Sequence, residues 1–221
     1  MKKRTPLSDR PLPDYTKGEE QLNMISHIAG GGLGLLALVL CVCRAGDGYA
    51  LTGAIVYGLT MIGLYTVSSV YHGLRRGMGK KVMQVIDHCA IYFLISGCYT
   101  PVLLGAFRPV YPGLAWGLLA LEWGLTALAV TLTAIDLKKY SIFSMICYIG
   151  MGWAVIPFWR ETLEVLSPQG FAWLLAGGIA YSVGAIFYGV GSKRKWMHGV
   201  FHIFVVLGSV LQFVSIYGYA L

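Results

Sequence analysis

Residues 196–221 read WMHGVFHIFVVLGSVLQFVSIYGYAL, a stretch without a single Asp, Glu, Lys or Arg. A helix needs about 20 apolar residues to cross the ~30 Å hydrocarbon layer of a membrane, and this stretch is long enough to do so. It also holds two histidines, His198 and His202, which are four residues apart and therefore share one helical face. The stretch predicts a membrane-spanning helix with two imidazoles near its N-terminal end.

Uncharged segments of this kind recur along the whole chain. Of its 221 residues, 57% are hydrophobic and 12% are charged, and the mean hydropathy is +0.66. Soluble domains carry about 25% charged residues. The segments lack the strict polar and apolar alternation of outer-membrane strands, which favours helices over a barrel. We therefore predict an all-α integral membrane bundle of seven transmembrane helices, with residues 1–19 as a cytoplasmic polar tail and 20–221 as a single domain. The segments are 21–43, 48–74, 88–107, 109–135 (interrupted only by Glu122), 140–159, 165–192 and 196–221.

The basic residues are distributed unevenly over the ends of these segments. The chain has 17 Lys and Arg against 10 Asp and Glu, a net charge of +7. If the chain has seven spans and a cytoplasmic N-terminus, 14 of the 17 basic residues lie on the cytoplasmic side. The three on the external side are Arg44, Arg108 and Arg160. The positive-inside rule thus predicts that the N-terminus is cytoplasmic and the C-terminus external. This pattern accounts for the basic charge without a nucleic-acid partner, and membrane lipids are the partners that we expect.

The cysteines give no sign of redox or sulfur–metal chemistry. Five of them, an odd number, lie at positions 41, 43, 89, 98 and 147, all in apolar segments and without a C-x-x-C motif. We expect thiols that pack inside the bundle rather than disulfides.

Polar and ionisable side chains inside spans are costly, so they are the first candidates for function. Four groups occur, and the predicted topology places all of them near the cytoplasmic face. At a rise of about 1.5 Å per residue, the histidines of spans 2 and 7 lie roughly 5–10 Å inside the membrane. The groups are Glu20, Asn23 and His27 in span 1, Ser68 and His72 in span 2, Asp87 and His88 in span 3, and His198 and His202 in span 7.

Three neutral imidazoles beside a carboxylate suit zinc. A catalytic zinc ion commonly has three protein ligands and an open position, and His72, His198 and His202 supply such a set. The H-x-x-x-H pair lacks the glutamate of the H-E-x-x-H motif. Asp87 is then the best candidate to hold the attacking water and accept its proton. Ser68 is a candidate to hydrogen-bond that water or to steady His72.

Some polar residues allow more than one interpretation from the sequence. Each histidine of the proposed set, taken alone, is also compatible with a hydrogen-bonded packing role. Three roles are open for the polar residues of span 1, which are Glu20, Asn23 and His27. They could form a structural hydrogen-bond network at the start of the helix, support the metal ligands, or line the rim of the site. We expect a structural role for His88, which points about 100° away from Asp87. Glu122 is either a hydrogen-bonded, neutral group inside the bundle or a polar lining of a substrate or ion path.

Taken together, these polar motifs resemble the hemolysin III family of bacterial membrane proteins, relatives of the progestin and adiponectin receptor (PAQR) family. The resemblance is spread over most of the chain. The matching pieces are EEQLNMISH (19–27), SSVYH (68–72), DHCAIYFLISGCYTP (87–101), MGW (151–153) and HGVFH (198–202).

The resemblance implies a seven-helix bundle with a cytoplasmic N-terminus, in a bacterial inner (plasma) membrane. It implies zinc held by His72, His198 and His202, with the family's Asp and Ser at Asp87 and Ser68. Adiponectin receptors are associated with ceramide amide hydrolysis, and bacterial members with haemolysis and with membrane lipid homeostasis. The resemblance does not identify a substrate.

Three functions remain compatible with the sequence. The first is a zinc-dependent hydrolase of a lipid amide or ester near the cytoplasmic leaflet. The second is a non-enzymatic membrane receptor or regulator in which zinc is structural. The third is a haemolysin or pore, which the clustering of polar residues on one side disfavours. Haem binding is disfavoured as well, because histidines four apart on one helix cannot supply opposite axial ligands.

Overall fold

The computed structural model describes residues 5–191 and 194–221, and every regular element in these residues is helical. The prediction of an all-α protein is therefore confirmed. Short π-helical turns continue α3 to Phe107 and α7 to Ala220. The long helices are α1 (Lys17–Arg44), α2 (Gly48–Gly73), α3 (Met78–Pro101), α4 (Pro112–Ile135), α5 (Ser141–Gly152), α6 (Trp159–Gly191) and α7 (Met197–Ser215).

Within the described residues, 6 helical runs are long and apolar enough to cross a membrane. The predicted segments 140–159 and 165–192 overlap a single one of these runs, Ser141–Gly191, and residue 192 lies outside the described residues. This run is not one straight helix, because α5 ends before a short 3-10 turn and α6 is interrupted at Ser167 (φ 63°, ψ 164°). Pro168 follows, and proline disfavours the helical conformation in the residue before it.

Large apolar side chains point away from the bundle. Ile142, Ile146 and Ile186 are 77%, 66% and 66% exposed, and all three lie on α5 or α6. Soluble monomers seldom leave broad apolar surfaces in water. A lipid environment removes that cost, and the helical backbone satisfies its own hydrogen bonds there.

The start of α1 is fixed by a capping box. The main-chain N–H of Glu19 donates to the Thr16 hydroxyl at 3.3 Å, and the N–H of Thr16 donates to the Glu19 carboxylate at 2.9 Å. Both groups would otherwise be unpaired donors at a helix N-terminus. As a result α1 begins at Lys17, inside the segment predicted as a polar tail.

The core is built around α2, which packs between α1 and α3, while α7 packs on α6 and α1. Tyr57 and Tyr65 of α2 are fully buried. The hydroxyls of Tyr65 and Tyr181 each lie 2.7 Å from the Ser209 hydroxyl, which joins α2, α6 and α7 at one point. This packing brings the C-terminal end of α2 beside the N-terminal ends of α1, α3 and α7.

The cysteines are all free. Cys41, Cys89, Cys98 and Cys147 are buried, as expected for packing thiols, whereas Cys43 is exposed. The packing prediction is thus confirmed for four of the five.

Glu122 is fully buried between α3 and α4. The Ser96 hydroxyl donates to the main-chain carbonyl of Glu122 at 3.1 Å and lies 2.7 Å from the Thr126 hydroxyl. The carboxylate oxygens of Glu122 have no hydrogen-bond partner in the described part of the chain. The side chain therefore faces the bundle, as expected, but lacks the hydrogen bonds that the first interpretation assumed.

Candidate metal centre

Three buried histidines meet where α2 ends and α7 begins. One ring nitrogen from each of His72, His198 and His202 lies within 4.8 Å of the other two, an arrangement that could hold a metal ion. The Nε2 atoms of His198 and His202 are 3.1 Å apart, because their spacing of four residues stacks them one turn apart.

The orientation of two of these rings is set by α1. The Nδ1 atom of His72 is 2.6 Å from a carboxylate oxygen of Glu20, and the Nδ1 atom of His202 is 3.2 Å from the main-chain carbonyl of Asn23. The carboxylate and the carbonyl both accept hydrogen bonds at shorter distances than the Asn23 side-chain amide, which lies 3.4 Å from Nδ1 of His72. This arrangement favours the tautomer with the proton on Nδ1 and the lone pair on Nε2. Nε2 of His72 is buried without a partner. Hydrogen bonds of this kind commonly hold metal-binding histidines, and the donor set therefore fits a metal ion.

α1 reaches these rings because it lies close against the start of α7. The Glu19 carboxylate accepts the main-chain N–H of Trp196 at 2.7 Å. Gly199 faces α1, and a Cβ atom there would lie 2.6 Å from the Leu22 side chain. A larger residue at position 199 would therefore require the Leu22 side chain of α1 to move. The position at which an H-E-x-x-H motif carries its glutamate is therefore occupied here by a helix contact.

Asp87 and Ser68 lie beside the histidines and line one cavity together with His202. The cavity has a volume of about 160 Å³. A single water needs only ~10–15 Å³ on the same measure, so the cavity has room for a larger molecule. Its walls are mostly apolar, with side chains such as Leu64 and Leu94.

The remaining histidines differ from one another. The ring of His27 stacks on that of His202 with 3.8 Å between centroids, and both of its nitrogens are buried without a hydrogen-bond partner. His88 has a partner on each nitrogen, the Gln84 carbonyl at 2.8 Å and the Tyr188 hydroxyl at 3.2 Å. These bonds agree with the structural role expected for His88.

The segment before α1 lies across the mouth of the histidine cluster. Tyr15 stacks on His198 with 4.9 Å between ring centroids and an interplanar angle of 20°. Burial raises the pKa of the Tyr15 hydroxyl above its ordinary value, so the ring stays neutral. Further back, the Thr5 N–H donates to Asp136 at 2.9 Å, and Arg10 donates to the Ile135 carbonyl at 2.8 Å.

Sequence reasoning missed two residues of this region, Tyr15 and Lys80. Tyr15 lies in the predicted polar tail 1–19, and Lys80 lies between the predicted segments 48–74 and 88–107. The capping-box pattern of Thr16 and Glu19 was the available signal for Tyr15, because it places that residue directly before the helix start. The signal for Lys80 was weaker, since a lysine at a span end is ordinarily solvated.

The fold and the site together define a class of protein: a multi-pass membrane protein of apolar helices with a buried histidine cluster at one end. The family model described as "Haemolysin-III related" matches residues 15–213 of the chain. The protein therefore belongs to the hemolysin III family, as the resemblance of its motifs predicted. The matched region includes Tyr15 and every residue of the histidine cluster.

Individual relatives agree with this assignment. The chain is 37% identical to "Hemolysin-3" of Bacillus cereus over 206 residues, 92% of each protein. It is 34% identical to the "Hemolysin-3 homolog" of Bacillus subtilis (strain 168), covering 93% of this chain and 96% of that protein. It is 24% identical to the human "Monocyte to macrophage differentiation factor" over 74% of this chain and 68% of the human protein. The chain is accordingly a multi-pass bacterial membrane protein.

Proposed function

We propose that this protein is a zinc-dependent hydrolase that acts on a lipid amide or ester. One observation carries the proposal. Three buried histidines offer ring nitrogens to one point, beside an apolar cavity that also presents a carboxylate and a hydroxyl.

Zinc is the metal that this ligand set favours. Neutral imidazoles are common zinc ligands, and catalytic zinc sites typically use three protein ligands with one position left open. When bound, zinc supplies Lewis acidity toward a substrate carbonyl and acidifies water near neutral pH. In this proposal Asp87 accepts the proton of the attacking water, and Ser68 holds the Asp87 carboxylate in position. Glu20 and Asn23 hold the ring nitrogens of His72 and His202 that face away from the centre.

The cavity supports a lipid as the substrate. His202 and Gln212 both line it, and ten residues of helix correspond to roughly 15 Å. An apolar channel of that length suits an acyl chain whose amide or ester linkage lies at the histidines. Membrane lipids are therefore the partners that we propose, and lipid homeostasis is the process to which such an activity would contribute.

We further propose seven crossings with a cytoplasmic N-terminus and an external C-terminus. The run Ser141–Gly191 is interrupted at Ser167, and its part 168–191 corresponds to roughly 36 Å of helix. The part before the interruption combines α5, a short 3-10 turn and the first residues of α6. The part 168–191 is by itself long enough to cross the hydrocarbon layer, and we assign the other crossing to the part that begins with α5. Seven crossings place all basic residues except three on the cytoplasmic side, which supports this orientation. The histidine cluster then lies beneath the headgroups of the cytoplasmic leaflet.

Metal analysis of the purified protein tests the first half of the proposal. We expect about one zinc ion per chain, and a large loss of metal in His198→Ala and His202→Ala. His88→Ala is the matched control, because His88 lies near the cluster but both of its ring nitrogens are already bonded to other groups. Full retention of zinc in the two α7 variants would rule out this centre.

A lipid hydrolysis screen tests the second half, with Asp87→Asn as the discriminating variant. An enzyme should lose turnover in this variant while it keeps its zinc, since Asp87 is proposed as the proton acceptor and not as a ligand. A receptor or regulator with a structural zinc should keep its biological activity as long as metal is bound. Zinc binding without turnover of any lipid would favour that second function.

The name of the Bacillus cereus relative gives a reason to test haemolytic activity as well. A pore should expose polar groups along the full depth of several helices, whereas the histidines and the Asp87 carboxylate of the candidate site lie at one end of the bundle, and Glu122 is fully buried. We therefore expect no dye release from liposomes at low protein concentration. Release by purified wild-type protein would revive the pore hypothesis.

A further inference from the structure

Lys80 is buried beside the histidine cluster, which is unusual for a lysine. It is 2% exposed and lies in the first turn of α3. Its ammonium group is 2.8 Å from the Glu20 carboxylate, 3.0 Å from the Leu74 carbonyl and 3.3 Å from the His72 carbonyl. An ammonium group has three donors, so these three acceptors satisfy it completely.

The contacts of Lys80 converge on a single histidine. One carboxylate oxygen of Glu20 accepts from Lys80, and the other lies 2.6 Å from Nδ1 of His72. Lys80 also binds the main-chain carbonyl of that same His72. The lysine is therefore connected to both the backbone and the ring of one member of the cluster.

We propose that Lys80 is a positioning residue for the metal centre. It fixes the Glu20 carboxylate so that Glu20 holds the His72 ring with Nε2 turned toward His198 and His202. A carboxylate that supports a histidine ligand needs a fixed direction, and a buried cation provides one at short range. This inference rests on the proposed function, because it assumes that the three histidines bind a metal.

The neighbouring lysine provides a matched control. Lys81 has the same charge and lies on the same helix turn, but its ammonium group contacts the carbonyl of Ser8 in the N-terminal segment. Lys80→Met and Lys81→Met thus remove the same charge from adjacent positions, and only the first affects the contacts of Glu20 and His72.

The test measures metal affinity and the geometry of the metal site separately. Zinc affinity is obtained by competition with a chelator, and the visible spectrum of the cobalt(II)-substituted protein reports ligand geometry. We expect Lys80→Met to weaken zinc binding about 10- to 100-fold and to alter the cobalt spectrum, the usual range for loss of a group that supports a ligand. Lys81→Met should leave both unchanged.

A double variant shows whether Lys80 acts through Glu20. If it does, Lys80→Met combined with Glu20→Gln should bind zinc no more weakly than Glu20→Gln alone. Additive losses would mean that Lys80 acts independently of Glu20 and would overturn the proposal. If Lys80→Met does not fold, Lys80→Arg and Lys80→Gln replace it. We expect the arginine variant to bind zinc more tightly than the glutamine variant, and equal affinities would also overturn the proposal.

The outcomes separate this inference from the proposed function. A wild-type protein that binds no metal would overturn both. A wild-type protein that binds zinc, with Lys80→Met matching it in affinity and cobalt spectrum, would overturn only the role of Lys80.

Discussion

The stacking of Tyr15 on His198 predicts that the N-terminal segment slows the escape of metal. The two rings are nearly parallel, with centroids 4.9 Å apart, and Tyr15 also lies 5.9 Å from His72. Aromatic pairs of this kind contribute about 0.5–1.5 kcal/mol beyond the area that they bury. Since 1.4 kcal/mol corresponds to a factor of ten, Tyr15→Ala should speed zinc loss about 2- to 10-fold.

The assay mixes zinc-loaded protein with an excess of a chromogenic chelator and follows the transfer of metal over time. Tyr15→Phe is the control, because it keeps the stacked ring and removes only the hydroxyl. We expect the phenylalanine variant to lose zinc at nearly the wild-type rate. An unchanged rate in Tyr15→Ala would refute the idea that this segment covers the site, and equal rates in both variants would refute stacking as the cause.

Three further predictions concern the framework around the site. A Cβ atom at Gly53 would lie 2.6 Å from the Pro101 backbone, so Gly53→Ala should lower the free energy of unfolding in detergent by about 1–3 kcal/mol. The control is Gly63→Ala on the same helix, where a Cβ atom would meet open space, so this change should be neutral or stabilising by up to ~1 kcal/mol. An equal loss of unfolding free energy in the two variants would contradict the packing argument. Glu122→Leu should not lower that free energy, since the carboxylate oxygens have no partner among the described residues, and a loss above ~1 kcal/mol would reveal a bond. A main-chain N–H from the N-terminal segment holds the pKa of Asp136 below its ordinary value. The ionised Asp136 carboxylate therefore holds this segment fully above pH ~3.9, its ordinary pKa. The contribution is lost as the pH falls through the lower pKa of the folded protein. NMR signals of that segment should show release only below pH ~4, and release between pH ~5 and ~7 would contradict this.

The membrane depth of the polar residues was the most informative signal in the sequence. Helical spacing placed His198 and His202 on one face, and the distribution of charge placed His72 and Asp87 at the same level. These are short-range regularities that a sequence records directly. The structure brings the three histidines together in agreement with that reasoning, because the C-terminal end of α2 lies beside the N-terminal end of α7.

The boundaries of the helices were harder to predict, because charged residues served as markers of span ends. α3 begins at Met78 rather than at residue 88, and its first turn contains Lys80. A lysine ends a span only if water must solvate it, and here Glu20 and two carbonyls replace water. That replacement depends on α1 and α2, which are distant in sequence. No local pattern could have indicated it.

The segment EEQLNMISH (19–27) of α1 supplies none of the three candidate metal ligands, but its residues hold the rings of two of those histidines in place. Successive residues on a helix point about 100° apart, so the adjacent glutamates serve different neighbours. Glu19 caps its own helix and binds the start of α7, while Glu20 reaches α2 and α3. One turn later, the main chain of Asn23 holds His202, and this contact requires the close approach that Gly199 permits. Position 199, where an H-E-x-x-H motif carries its glutamate, is thus a glycine that packs against the Leu22 side chain of α1. In the proposed hydrolase the proton acceptor therefore comes from another helix, and Asp87 of α3 is the carboxylate that lines the cavity beside His202.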